Sequence, residues 1–99
     1  MEQRTLGNSQ LKLSTVGLGT WAMGGDDWAF GWGPQDDAAS REAVHEAIDS
    51  GINWIDTAPV YGLGRSEEVV GKAIVDRRDE LIIATKCGRV WDESRTIGK

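Results

Sequence analysis

The strongest constraint on the fold is a pair of short strand-like segments separated by one amphipathic helix. Residues 52–56 and 81–84 have this character, and the second is an apolar run bounded by charges, which is typical of a buried parallel strand. The segment between them carries apolar side chains at the spacing of one helix face, namely Val69, Val70, Ala73 and Ile74. Strands that alternate with helices form parallel sheets. The pattern therefore predicts an α/β fold and leaves open whether the sheet is doubly wound or closes into a barrel.

The residues before this unit predict a hairpin, a further strand and a long loop. Residues 5–6 and 11–13 flank a run of turn formers, as in a β-hairpin. Residues 16–20 are a candidate for a short buried strand. Residues 21–35 are expected to be a loop throughout, because glycine is too dense there for a stable helix.

Both predicted helices carry signals at their ends. Asp37 is expected to cap the first helix and Ser66 the second, since short polar side chains accept hydrogen bonds from the free amides of a first turn. Gly51 is expected to end the first helix in the left-handed conformation. The tail after Cys87 shows no clear pattern. Residues 1–99 are interpreted as one region that holds the hairpin, three main strands and two helices.

Charge and composition exclude several classes of partner. The chain has 99 residues, a formal net charge of −5 and scattered basic residues. Such a chain is poorly suited to nucleic acids or anionic membranes, and no apolar run approaches the roughly 20 residues of a membrane span. The N-terminus has no hydrophobic signal region, and the single cysteine, Cys87, fits a reducing compartment. We expect a cytoplasmic protein that acts on a small molecule, and nothing in the sequence indicates its oligomeric state.

Three chemically active side chains fall where parallel α/β folds place their sites. Asp56 ends the second main strand, Lys86 ends the third, and Tyr61 lies in the loop after Asp56. If the two strands are neighbours, Asp56 and Lys86 come within reach of an ion pair. A lysine cation beside a tyrosine stabilises the phenolate, and an aspartate keeps the lysine charged. The trio suits proton donation during carbonyl reduction, although a structural ion pair and a packed aromatic ring explain the same spacing.

The long loop is unusually aromatic. Trp28, Phe30 and Trp32 are mixed with glycines in it. Aromatic faces suit the walls of a pocket for sugars or apolar carbonyl compounds. The same side chains also suit packing of the loop onto the rest of the fold, and the sequence does not decide between the two.

Four segments, in this order, resemble the aldo-keto reductases. They are residues 17–21 (GLGTW), 52–62 (INWIDTAPVYG), 66–73 (SEEVVGKA) and 83–86 (IATK). The resemblance implies a (β/α)₈ TIM barrel whose lower end is closed by the N-terminal hairpin. A full barrel takes about 250 residues, so we expect this chain to be the N-terminal portion of one, with the barrel incomplete.

The resemblance also implies roles for individual residues. Asp56, Tyr61 and Lys86 match three members of the family's catalytic tetrad: the aspartate that supports the lysine, the proton donor, and the lysine that activates it. The cofactor is expected to be NADPH, with NADH as a possibility, and no metal is expected. The residues implied near the nicotinamide are Gly19, Thr20, Trp21 and Asp56. The resemblance implies that Trp21 and Tyr61 lie near an aldehyde, ketone or sugar substrate, and the aromatic loop adds Trp28 and Trp32 as expected substrate residues. The wording of residues 60–62 favours the bacterial sugar- and stress-related branches.

One member of the tetrad has no counterpart. The family histidine ends the fourth strand, whereas His45 falls within the first predicted helix and is expected to be a plain surface residue. We therefore expect the activity, NADPH-dependent reduction of aldehydes and ketones or the reverse oxidation, to belong to a longer parent. The isolated chain is expected to be marginally stable and inactive. The alternative is a catalytically inert accessory protein of the same fold that senses cofactor or binds a partner.

Overall fold

A computed structural model describes residues 1–99. The strands are β1 Gln3–Thr5, β2 Lys12–Ser14, β3 Leu18–Gly19, β4 Trp54–Asp56, β5 Ile82–Ala84, β6 Val90–Trp91 and β7 Ile97–Gly98. The α-helices are α1 Asp37–Asp49 and α2 Arg65–Ala73, and 3-10 helices occupy Trp21–Gly24 and Arg78–Glu80. No helix has the length and apolarity needed to cross a bilayer.

A three-stranded parallel sheet carries the fold, in the order β3-β4-β5. Gly19 lies opposite Asp56, and Asp56 lies opposite Ala84, so the carboxyl ends of the three strands share one edge. The main core joins this sheet to both helices through Val44, Ile55, Val69, Val70 and Leu81, among others. The parallel sheet predicted from the βαβ pattern is confirmed. Its β3 and β5 edges have no further strand, and the sheet is open.

The predicted N-terminal hairpin is present as the antiparallel pair β1-β2. It is tied to the amino end of β4 by side chains. Asn53 accepts a 2.8 Å hydrogen bond from the amide of Ser14 and donates a 2.9 Å bond to the carbonyl of Lys12. The Trp54 indole donates to the Ser14 carbonyl at 2.9 Å. The hairpin therefore lies at the end of the sheet opposite the one where Asp56 is found.

The helix ends differ from the prediction in two places. Asp36, not Asp37, caps α1, because its Oδ1 accepts the Ala38 amide at 2.9 Å. Gly64 takes the cap position of α2 with a φ of 105°, so Ser66 lies inside the first turn. A left-handed glycine frees the Ser66 side chain for tertiary contacts. Gly51 follows α1 with a φ of 102°, as expected.

Two segments contain structure that the sequence pattern did not predict. Residues 21–35 were expected to be loop throughout, but Trp21–Gly24 forms a 3-10 helix. The tail after Cys87 folds into the antiparallel hairpin β6-β7. Its Ile97 packs against the cluster of Trp28 and Tyr61, and the Arg95 guanidinium lies 3.5 Å from the Asp27 carboxylate. These tertiary contacts, rather than local periodicity, order the tail.

Asp92 organises the turn of this hairpin and makes it sensitive to acid. Its carboxylate accepts hydrogen bonds from the Ser94 hydroxyl at 2.6 Å and the Thr96 amide at 2.9 Å, and these hold the pKa of Asp92 below its ordinary value. The stabilisation is therefore complete above the ordinary aspartate pKa and is lost as pH falls through the lowered pKa of the folded state. We expect the NMR amide shift of Thr96 to report this loss during an acid titration. The transition should disappear in Asp92→Asn, and its persistence there would contradict the assignment.

Candidate active site

The carboxyl edge of the sheet brings Asp56 and Lys86 together. The parallel register sets Asp56 opposite Ala84, and Lys86 follows two residues later. Lys86 Nζ lies 2.6 Å from Asp56 Oδ1 and donates a second hydrogen bond of 3.0 Å to the carbonyl of Thr57. The ion pair expected from neighbouring strands is therefore present, at the edge where parallel folds place their chemistry.

Tyr61 completes the group. Its ring is 9% exposed, and Lys86 Nζ lies 5.0 Å from the ring centroid, within the range of a cation–π interaction. Burial lowers the pKa of Lys86, but the hydrogen bond to Asp56, the charge of that carboxylate and the proximity of Tyr61 outweigh this effect, so the pKa lies above the ordinary lysine value. Lys86 is therefore held as a cation beside the aromatic ring at neutral pH.

The loop that carries Tyr61 is fixed by a close approach of two backbones. Gly62 has a φ of 67°, and its Cα faces the backbone of Gly24. A Cβ added at Gly24 would lie 2.6 Å from the Gly62 amide nitrogen, and one added at Gly62 would overlap the Gly24 carbonyl. The 3-10 helix after β3 thus packs directly on the loop after β4, and only glycine permits this spacing.

The buried hydroxyl group of Ser66 supports the carboxyl edge of the sheet. Ser66 Oγ lies 2.8 Å from the Thr20 carbonyl and 2.9 Å from the Thr20 hydroxyl, and the Ser66 amide donates to the Tyr61 carbonyl at 3.1 Å. The Thr20 hydroxyl in turn donates to the Asp56 carbonyl at 3.1 Å. Ser66 therefore links all of the segments that hold Thr20, Asp56 and Tyr61. Its role as a helix cap, predicted from the sequence, was wrong because the side chain is used between elements.

Ser66→Ala is expected to destabilise the fold. The substitution removes a fully buried donor and leaves the Thr20 carbonyl and hydroxyl without that partner, which costs about 1–3 kcal/mol in the free energy of unfolding. Ser50→Ala is the matched control, because Ser50 is exposed, and it should change stability by no more than about 0.5 kcal/mol. Denaturant unfolding measures both variants, and equal effects would show that the buried hydroxyl contributes nothing specific.

An aromatic pocket adjoins Tyr61. The rings of Trp21 and Trp28 lie 5.2 and 6.1 Å from that of Tyr61, centroid to centroid. The pocket has a volume of about 330 Å³. Its walls are Trp21, Trp28, Phe30, Val60, Tyr61, Arg89 and Ile97. A largely apolar cavity of this size, with few polar groups, is typical of a small-molecule site.

The predicted substrate residues fall into two groups. Trp21, Trp28 and Tyr61 line the pocket, whereas Trp32 is 78% exposed and only stacks on Trp21, with centroids 6.3 Å apart. The sequence pattern missed Arg89 and Ile97, which come from the tail that showed no periodicity. No local signal marks them, since the β6-β7 hairpin brings them to the pocket.

The predicted cofactor residues also differ in placement. Gly19 is exposed at the end of β3, and a Cβ there would meet no atom within 4 Å, so open space lies above the strand. Trp21 is exposed and Asp56 is half-buried beside it, so the three residues border this open space. The Thr20 side chain is fully buried and points to Ser66, so it supports the site instead of facing that space.

His45 makes its hydrogen bond with the end of α2 and not with the carboxyl edge of the sheet. Its Nε2 lies 2.7 Å from the carbonyl of Ala73, and the residue is half-buried. The expectation of a plain surface residue was therefore wrong, because the ring joins α1 to the last turn of α2. Satisfaction of a free helix carbonyl explains this histidine without a catalytic role.

Known proteins share both the sequence and the fold of this chain. The profile of the Aldo/keto reductase family matches residues 15–98. Aldo-keto reductase YhdN of Bacillus subtilis is 44% identical over 97 residues, which cover 96% of this chain and 28% of that protein. The NADH-specific methylglyoxal reductase of Escherichia coli is 40% identical over 99 residues, which cover 98% and 29% of the two chains.

Solved structures give the same relationship. The holo form of an aldo-keto reductase from Bacillus halodurans matches with a TM-score of 0.80 at 34% identity, over 94% of this chain and 28% of that one. An aldo-keto reductase from Klebsiella pneumoniae in complex with NADPH matches with a TM-score of 0.61 at 38% identity, over 79% and 25%. The fold class, an N-terminal portion of a (β/α)₈ barrel, is confirmed. The chain belongs to the aldo/keto reductase family and spans about 28% of the length of the relatives it matches.

Proposed function

We propose that this chain is the N-terminal part of a nicotinamide-dependent reductase of aldehydes and ketones, in which Tyr61 donates the proton. The observation that carries the proposal is the position of Lys86, whose Nζ lies 2.6 Å from Asp56 and 5.0 Å from the Tyr61 ring centroid. A cation between a carboxylate and a phenol is the arrangement that favours transfer of the phenol proton.

Tyr61, Lys86 and Asp56 have separate roles in the proposed reaction. The reduced nicotinamide, when bound, supplies a hydride to the carbonyl carbon. Tyr61 gives its hydroxyl proton to the carbonyl oxygen, and the Lys86 cation stabilises the phenolate that remains. Asp56 fixes the direction of the lysine and keeps it protonated, while the aromatic rings beside Tyr61 hold the substrate away from water. The reverse oxidation uses the same groups in the opposite order.

The cofactor is part of the proposal. A solved relative is in complex with NADPH, and a curated relative is named NADH-specific. We propose NADPH, whose nicotinamide would be held by Gly19, Trp21 and Asp56, and NADH as the alternative. A cytoplasmic location is proposed from the use of a single cysteine, Cys87.

The activity is proposed for a longer protein that continues this sequence. The sheet has an open edge at β5, and the chain covers about 28% of its relatives. Asp56, Tyr61 and Lys86 match three of the four groups that the resemblance implies, and His45 contacts the end of α2 instead. The isolated chain is expected to turn over no substrate.

The test is a parallel assay of the longer protein and of residues 1–99. The assay uses neutral aldehydes and ketones as substrates. The loss of nicotinamide absorbance measures the oxidation of NADPH and of NADH. Turnover by the longer protein alone is the expected result. Tight binding of cofactor by the longer protein, with no turnover of any carbonyl compound, would overturn the proposal in favour of a cofactor-sensing accessory protein.

A further inference from the structure

Arg89 is the only charged residue on the wall of the aromatic pocket. Six of the seven lining residues are hydrophobic, and Arg89 is the exception. It also lines a smaller adjoining cavity of about 80 Å³ beside Lys86 and Cys87. Arg89 and Tyr61 therefore line the same cavity, and a molecule that occupies it can contact both residues.

The guanidinium has no partner within the chain. Arg89 takes part in none of the ion pairs and none of the side-chain hydrogen bonds, although acidic residues outnumber basic ones by 16 to 11. Its neighbours differ, because Lys86 is paired with Asp56 and Arg95 is paired with Asp27. These two cations are used for structure or for the proposed proton transfer. Arg89 remains available to a ligand.

We propose that the pocket selects carbonyl compounds that carry a carboxylate, with Arg89 binding the carboxylate while the carbonyl lies at Tyr61. This inference rests on the proposed function. Arginine presents paired donors that match the two oxygens of a carboxylate, and Arg89 is the one charged group on an otherwise apolar wall. The apolar walls hold the body of the substrate, so the preferred class is small oxo acids and aldehyde acids with an apolar or aromatic frame.

The test compares two substrates of nearly equal shape in the longer protein. They are para-formylbenzoate, which carries the carboxylate, and its methyl ester, which does not. We expect the wild-type kcat/KM to be at least about tenfold higher for the acid, since a hydrogen bond to a charged group is worth on that order or more. Arg89→Met should remove this preference through a higher KM for the acid, with the ester unchanged. Arg89→Lys should retain part of it.

Arg41→Met is the matched control. Arg41 is an exposed residue of α1 that forms no ion pair and lines neither cavity, so this variant removes the same charge elsewhere. It should keep the preference for the acid. A preference that falls equally in both arginine variants would assign the effect to net charge and overturn the inference. Equal losses on the acid and the ester in Arg89→Met would also overturn it, since they would show a structural role.

Binding separates this inference from the proposed reaction. Trp21 and Trp28 line the pocket, so their fluorescence should be quenched by the unreactive dianion terephthalate. If the longer protein reduces no carbonyl compound, the proposed function fails. In that case quenching that requires Arg89 still supports an anion site, and the absence of such quenching overturns the site as well.

Discussion

Replacing Tyr61 with phenylalanine in the longer protein is expected to lower kcat by about a hundredfold to ten-thousandfold, the range that a general acid contributes. The ring is the part of the residue that holds structure, through its packing on Trp21 and Trp28 and its contact with Lys86. Phenylalanine keeps these contacts. Only the proton donor is lost.

Two further measurements test whether the fall in kcat comes from the lost proton donor and not from a change in binding or folding. Titration of NADPH against the variant should give an unchanged Kd, and the midpoint of thermal unfolding should stay close to that of the wild type. An unaltered kcat would remove Tyr61 from the role of proton donor. A fall in kcat that comes with weaker cofactor binding would assign the residue to the architecture of the pocket instead.

Gly24→Ala is expected to have the largest effect on stability. The added Cβ would lie 2.6 Å from the Gly62 amide nitrogen and 2.8 Å from the Tyr61 carbonyl carbon. Both are backbone atoms, which cannot turn aside as a side chain does. Overpacking of this kind costs about 1–3 kcal/mol and sometimes more, a large part of the roughly 5–15 kcal/mol that holds a domain folded.

The matched control is Gly98→Ala, since a Cβ at Gly98 meets no atom within 4 Å and its φ is not in the left-handed region. Denaturant midpoints of the longer protein compare the two variants. Because the clash pushes on the segment that carries Tyr61, Gly24→Ala should also raise KM for the aldehyde. An alanine that is tolerated as well at Gly24 as at Gly98 would show that the two loops separate easily.

The sequence predicted those parts of the fold that depend on regular spacing. The carboxyl ends of neighbouring parallel strands meet at one edge of a sheet, so the meeting of Asp56 and Lys86 follows from their positions at or just after the ends of β4 and β5. The resemblance then supplied the barrel and the roles of the residues. The roles stay predictions, whereas the distances between these side chains are properties of the structure.

Other features depend on contacts between distant segments and leave no local pattern. Ser66 has the residue type and position of a helix cap, but a left-handed Gly64 takes that place and the hydroxyl reaches Thr20 instead. His45 has the sequence pattern of a surface residue, but its ring contacts the Ala73 carbonyl at the end of α2. The last hairpin is ordered by the hydrogen bonds of Asp92 in its turn and by the packing of Ile97 on the aromatic cluster. Neither contact produces a periodic pattern in the sequence.

The walls of the aromatic pocket come from segments outside the β3-β4-β5 sheet, while the ion pair beside it comes from the ends of two strands of that sheet. Ile97 belongs to the β6-β7 hairpin and Arg89 directly precedes it, and this hairpin shares no strand with the β3-β4-β5 sheet. Evolution, or a protein engineer, can therefore exchange this hairpin for another of different length and charge without touching Asp56 or Lys86. Under the proposed function, one arrangement of Asp56, Tyr61 and Lys86 would serve many carbonyl compounds. A graft of residues 88–98 between relatives then becomes a direct way to change substrate preference.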